Sequence, residues 1–258
     1  MSTLPASPDS PARSSPASRP AFAERTAYVC KSREEQFIVP LLRDSIQTAL
    51  RTYAKPGGRA LDAGCGGQPF RASIKSCGMD YHAIDVVAQP GMRTDFVCAL
   101  DGQLPDALAG APPFDLILCT EVLEHVADWN AAWANLSRLL APGGKLIVTC
   151  PFFYPLHEEP YDFFRPTLHA IAHWSGRYGL EQVELRKLGT SWDVLGTALG
   201  AAGASPVSNS PLPWLLGTLA RKKHKLTFWA LRRRFFQKWI KTRDTLYLAN
   251  FAVLAKPL

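Results

Sequence analysis

The chain is expected to fold as an α/β domain on a doubly wound, mostly parallel sheet, and three features of its 258 residues predict this. Short apolar stretches alternate with amphipathic ones, the order required when parallel strands are joined by crossover helices. The strands read as near-continuous apolar runs such as "FDLILCT" and "GKLIVTC", so both faces of the sheet must be covered. A glycine-rich turn, "LDAGCGGQPF", follows the first strand, where open sheets of this kind bind ligands. With 47% apolar and 20% charged residues, the chain suits one core with decorations better than two full domains.

The first twenty residues, MSTLPASPDSPARSSPASRP, are mostly Pro, Ser and Ala and hold no apolar run like that of a signal peptide, which predicts a disordered tail over 1–23. Within 32–53, Phe37, Ile38, Leu41, Leu42, Ile46 and Leu50 fall at helical spacing, and "KPGG" at 55–58 stops the pattern. Next come "RALDAG" as a strand, a helix over 69–77, three strands ("YHAID", "TDFVCAL", "FDLILCT"), a helix over 129–140 and the strand "GKLIVTC". "APGG", residues 141–144, is expected as the turn leading into that fifth strand. A helix over 167–178 and the strand "LEQVELRKL" follow, and "YLANFAVLAK" at 247–256 is the last strand. The roughly sixty residues between these two strands exceed a hairpin loop, so 190–245 is expected as a helical insertion in a domain spanning 24–258. No apolar stretch, "PLPWLLGTLA" included, is long enough to cross a bilayer.

The six cysteines are scattered, with neither a C-x-x-C pair for zinc nor a compact disulfide framework, which suits a reducing cytoplasm. The net charge of +7 is local: residues 221–243 hold ten of the 29 Lys and Arg and no acid, leaving 19 bases against 22 acids elsewhere. In that segment the cations alternate with Leu226, Phe228, Trp229, Leu231, Phe235, Phe236, Trp239 and Ile240. Three readings stay open: a helical cap with a solvated basic face, a peripheral contact with the inner face of a membrane, and a nucleic-acid surface.

The turn places Asp62, Gly64, Gly66 and Gly67 between a strand and a helix, where small residues let a ligand approach the backbone. The next strand ends at Asp85, 21 residues beyond Gly64, the separation at which a carboxylate can take both hydroxyls of a ribose. Together they indicate a nucleoside-containing cofactor. The register D-x-G-x-G-G lacks the third glycine of the G-x-G-x-x-G dinucleotide turn, so NAD fits poorly.

"DAGCGG", the Asp85 strand end, "FDLILCTEVLEHV" and "LLAPGGKLIVT", in this order, resemble the class I S-adenosylmethionine-dependent methyltransferases. More narrowly they resemble the small-molecule subgroup containing the ubiquinone-biosynthesis O-methyltransferases. The likeness covers about 55–190 and implies a Rossmann-like seven-stranded sheet with an antiparallel last strand. It implies that Asp62 and the backbone of Gly64, Cys65 and Gly66 face the methionine part of S-adenosyl-L-methionine. Asp85 and Val86 would then hold the ribose, Leu100 and Asp101 the adenine, and Cys119 and Thr120 would border the methyl donor. Ala99 departs from the pattern, standing where such proteins often carry an Asp.

Transfer to a hydroxyl requires the acceptor to be aligned with the methyl group, water to be excluded and a base to be present. Glu121, Glu124 and His125 follow the fourth strand. In the ubiquinone-pathway relatives the matching residues bind a divalent cation; here a metal-free role at the start of a helix is preferred, with His125 a candidate base. The stretch "CPFFYPLHEEPYDFFRPT", 150–167, leaves the fifth strand on the same rim and is expected as a substrate-side lid. Its six rings can wall a pocket, and His157, Pro160, Asp162, Arg165 and Thr167 resemble an "H-x-x-P-x-D-x-x-R-x-T" segment of bacterial methyltransferases that often accompany glycan or lipid-linked sugar synthesis. His157 and Asp162 are thus further catalytic candidates, while Asp162 with Arg165 can also form a local ion pair and Thr167 can cap a helix. The implied partner is a small-molecule or glycan-type acceptor. Nucleic acid is not expected, because "CTEV" stands where base amino-methyltransferases carry Asn or Asp followed by Pro-Pro-aromatic.

Overall fold

The structure, a computed structural model, describes residues 26–88, 91–202, 211–233 and 245–258. The tail expected over 1–23 and the part of the basic segment beyond residue 233 lie outside the described residues. In chain order the elements are α1 (Glu35–Tyr53), β1 (Arg59–Ala63), α2 (Arg71–Ser76), β2 (Asp80–Asp85), β3 (Phe96–Val97), α3 (Asp106–Ala109), β4 (Phe114–Thr120), α4 (Trp129–Leu139), β5 (Leu140–Pro151), α5 (Leu168–Arg177), β6 (Glu181–Leu188), α6 (Ser191–Ala201), α7 (Pro211–Arg232) and β7 (Ala249–Ala255).

The strands form one seven-stranded sheet in the order β3-β2-β1-β4-β5-β7-β6. β7 runs antiparallel to both its neighbours, and the other pairs are parallel. This is the expected Rossmann-like sheet with a reversed last strand. The strand order turns back between β1 and β4, which opens a crevice at their carboxyl ends.

Alternation along the strands supplies two cores. Leu116 and Leu118 of β4 join Phe37, Leu42 and Ile46 of α1 on one face, while Ile117 and Cys119 join Trp133 and Leu136 of α4 on the other. On the α1 face, α6 begins with a capping box between Thr190 and Asp193, and Phe228 and Leu231 of α7 are buried in the core.

Three local expectations change. "APGG" is part of β5, whose pairing with β4 shifts register between Phe114 and Leu116, so the chain enters as a bulged strand and not through a separate turn. "EVLEHV" forms a single 3-10 turn, Leu123–His125, with Glu121 at φ +54°, and α4 starts only at Trp129, behind the Asp128 cap. The third strand shrinks to two residues, because the Asp95 carboxylate takes the Ala83 N–H at its edge. Among the described residues no helix is long and apolar enough to cross a membrane.

Candidate active site

The turn after β1 is built by close approach. Gly64 has φ +74°, and a Cβ there would lie 2.4 Å from Val122 Cγ2, so no larger side chain fits under that valine. The N–H groups of Gly64 and Cys65 both donate to the Ile84 carbonyl. Asp85 closes the cradle: one carboxylate oxygen accepts from Gly66 N at 2.8 Å and the other from Val87 N at 3.1 Å.

Asp62 is buried beneath this turn and accepts a 2.8 Å bond from the Tyr81 hydroxyl. Burial raises its carboxyl from 3.8 to about 7, with the Tyr81 bond opposing and the Asp85 charge adding to the rise. A group raised on folding lends stability that is complete below its unfolded value and is lost as pH rises through the folded one. Asp62→Asn abolishes this loss, so relative to wild type the variant is expected to gain on the order of 2 kcal/mol between pH 5 and pH 8. Urea denaturation of both proteins without ligand at the two pH values checks this.

A cavity of about 500 Å³ lies over the carboxyl ends of β1, β2 and β4. Its wall includes Asp62 of β1, Gly64, Cys65 and Gly66 of the turn, Asp85 at the end of β2 and Val86 after it, Leu100 and Asp101 after β3, and Thr120 at the end of β4. The side-chain amide of Asn135 donates to the carbonyls of Leu100 and Gly102, and Asp101 accepts from Asp128 N, which fixes the loop after β3. Cys119 is fully buried on the α4 face and absent from the cavity wall, because strand alternation turns its side chain to the other side of β4.

Sequence reasoning missed one side of this cavity. Tyr28, Lys31, Glu35, Ile38, Val39 and Leu42, before and along α1, contribute to it, as does Val122. The helical spacing of Ile38 and Leu42 marks a buried face, but nothing local shows that this face covers the crevice.

At the other end of the cavity, two imidazoles meet edge to face, with the ring centroids of His125 and His157 4.8 Å apart. His125 Nδ1 lies 2.9 Å from the Tyr161 carbonyl, which can only accept, so this nitrogen carries the proton of the neutral ring and Nε2 keeps its lone pair. Burial lowers the His125 pKa, opposed by the Glu158 carboxylate 3.7 Å from Nε2 and by the Tyr161 bond. Burial also lowers that of His157, with Asp162 opposing. Both shifts favour the neutral imidazole over the imidazolium.

Glu124 is completely buried, with one carboxylate oxygen 3.9 Å from His125 Nε2 and no hydrogen-bond partner for that oxygen. Its pKa is raised well above the usual value by burial, and the Glu121 charge adds to this. Glu124, His125 and His157 each offer a ligand atom within 4.8 Å of the others, a donor set that fits a divalent cation. His157 stands in this set where the sequence pattern suggested Glu121.

The loop between β5 and α5 is organised by Arg165. Its guanidinium grips both oxygens of Asp162 at 2.5 and 2.6 Å and donates to the carbonyls of Tyr154, Pro155 and Phe164. Asp162 also takes the His157 N–H, and Thr167 caps α5 by accepting from Ala170 N. Burial tends to raise the Asp162 carboxyl, but the Arg165 fork and the His157 N–H prevail and hold it below the usual range. Asp162 is absent from the cavity wall and ion-paired with Arg165 behind His157. Of the six rings, only Tyr154 is in the wall. Phe152 stacks on Tyr247 at 4.2 Å, and Phe164 packs edge-on against Trp129. Arg165→Ala leaves the Asp162 carboxylate, 1% exposed, without its cation. A loss of about 3 kcal/mol is expected, measurable by denaturation, with Arg165→Lys recovering only part because an ammonium cannot fork.

Comparison with known proteins agrees with this geometry. A family model described as a methyltransferase domain matches residues 33–192, and the chain belongs to that family. A ubiquinone biosynthesis O-methyltransferase of Xylella fastidiosa is 37% identical over 106 residues, covering 36% of this chain and 42% of that protein. The chain thus matches about two fifths of the length of such curated relatives. Among solved structures, a putative sarcosine dimethylglycine methyltransferase from Galdieria sulphuraria shares the fold with a TM-score of 0.53 at 12% identity, over 85% of each chain. The [4+2]-cyclase SpnF shares it with a TM-score of 0.51 at 16% identity, over 90% of this chain and 99% of that one. At such identities the likeness concerns the fold and not the reaction.

Proposed function

We propose that the protein transfers a methyl group from S-adenosyl-L-methionine to an oxygen of a small molecule or of a glycan or lipid-linked precursor. One cavity joins the Asp85 carboxylate and the glycine turn to the His125/His157 pair, and this continuity supports donor and acceptor meeting within it. The cradle fits the donor: Gly64 and Gly66 leave backbone space for a methionine tail, and Asp85 brings a carboxylate, the group that accepts from a ribose diol, to the cavity wall. Asp62 offers a carboxyl group to the tail's ammonium, and Leu100 and Asp101 flank the place of the base. When bound, the sulfonium supplies an electrophilic methyl group.

The chain's own residues supply alignment, exclusion of water and a base. His125 Nε2 takes the acceptor's hydroxyl proton, with the Tyr161 carbonyl holding the ring in the required tautomer. Residues 152–167 close over the acceptor, fixed by the Arg165 clamp. A second reading has Glu124, His125 and His157 hold a divalent cation that acidifies the hydroxyl, and the spacing of their donor atoms favours it. An acceptor screen with methyl-labelled donor, with and without chelator and with lipid-linked sugars among the acceptors, tests both. Label on a small hydroxyl acceptor is expected in chelator. Loss of labelling in chelator selects the cation reading, and label appearing only in RNA contradicts both.

A further inference from the structure

Among the described residues, α7 has two apolar faces, one buried and one exposed. Phe228 and Leu231 are 6% and 3% exposed in the core, Phe228 meeting Phe37 edge-on. Leu219, Leu226 and Trp229 are 54%, 66% and 55% exposed. Their spacings of seven and three residues put these three on one side of the helix, with Lys222 and Arg233 between and beside them and Lys223 and Lys225 at the margins. A solvated cap needs the cations but not an exposed Trp and two exposed Leu, and a protein-binding groove needs the apolar residues but not a surround of like charges.

Beside this stripe, where α1 begins, Arg33, Gln36, Phe228, Trp229, Arg232 and Arg233 line a notch containing three guanidinium groups and no acid. Arg33 lies over the Phe228 ring at 4.6 Å and Arg233 over Trp229 at 5.2 Å, which holds both near the apolar stripe. The stretches outside the described residues bring no excess of acid by composition: residues 1–25 carry two acids against three bases, 203–210 none, and 234–244 one acid against four bases. The complementary surface is therefore anionic, extended, and apolar just below its charged layer. That is the surface of an acidic phospholipid bilayer.

We propose that the outer face of α7 docks the protein on an anionic membrane, with Leu219, Leu226 and Trp229 entering the headgroup boundary and a lipid phosphate seated among Arg33, Arg232 and Arg233. The donor cavity is a separate site, so the two proposals stand or fall apart. The full-length protein is sedimented with vesicles of phosphatidylcholine alone or with roughly 30 mol % phosphatidylglycerol, at low and high salt. Binding to the acidic vesicles only, weakened by salt, is expected. Leu226→Ser with Trp229→Ser, and separately Arg232→Glu with Arg233→Glu, should each lower the partition coefficient by about tenfold. Uptake of S-adenosylhomocysteine should be unchanged in both pairs, showing that they fold. Equal binding to neutral vesicles, variants that partition like wild type, or RNA bound more tightly than acidic vesicles would each overturn the proposal.

Discussion

Asp85→Ala is expected to weaken the binding of S-adenosylhomocysteine by about 10²- to 10³-fold, the cost of losing charge-assisted bonds to both hydroxyls of a ribose. The side chain also receives the Gly66 and Val87 N–H groups, so its removal loosens the cradle from two directions. Asp85→Asn separates the two contributions. An amide keeps one acceptor oxygen for the backbone but offers the diol a donor where it needs an acceptor, and an intermediate loss is expected by calorimetric titration. Equal binding by Asp85→Ala and wild type would remove this carboxylate from the site.

The second large effect falls on turnover. His125→Ala is expected to lower kcat by about 10²- to 10⁴-fold, the usual worth of a positioned base, with little change in donor affinity. The pH profile carries the sign. Burial holds the imidazole pKa below its ordinary 6.5, so the active neutral form persists at neutral pH, and the rate falls only as pH drops through the lowered value. Asp162→Asn, which acts through His157 and Arg165, should shift this limb and raise the KM for the acceptor without abolishing turnover. A rate unaffected by His125→Ala would leave alignment alone to account for catalysis.

The parts legible in the sequence share a physical cause: they are local. The central strands β4 and β7 are buried on both faces and read as apolar runs, whereas β6 at the edge is largely exposed, and the distance from Gly64 to Asp85 is one crossover from the first strand to the second. The less legible parts depend on what lies across space. Cys119 follows Leu118 toward the rim, yet strand alternation turns its thiol into the α4 core, and only the register on the sheet decides that. The rings of "PFFYP" and "DFFRP" suggested a pocket wall, but the partners of Phe152 and Phe164, Tyr247 and Trp129, lie far along the chain and draw them into packing. The contribution of α1 to the cavity is likewise a tertiary fact. His125 was identifiable by type and place, whereas its orientation by the Tyr161 carbonyl and its contact with His157 depend on how the loop from β5 folds back.

The measurement that bears most directly on the central claim is a calorimetric titration of the wild-type protein with S-adenosylhomocysteine, run beside one with NAD. A single site with clear preference for the thioether nucleoside is expected. No heat with that ligand, or tighter uptake of the dinucleotide, would contradict a cavity shaped for a methyl donor.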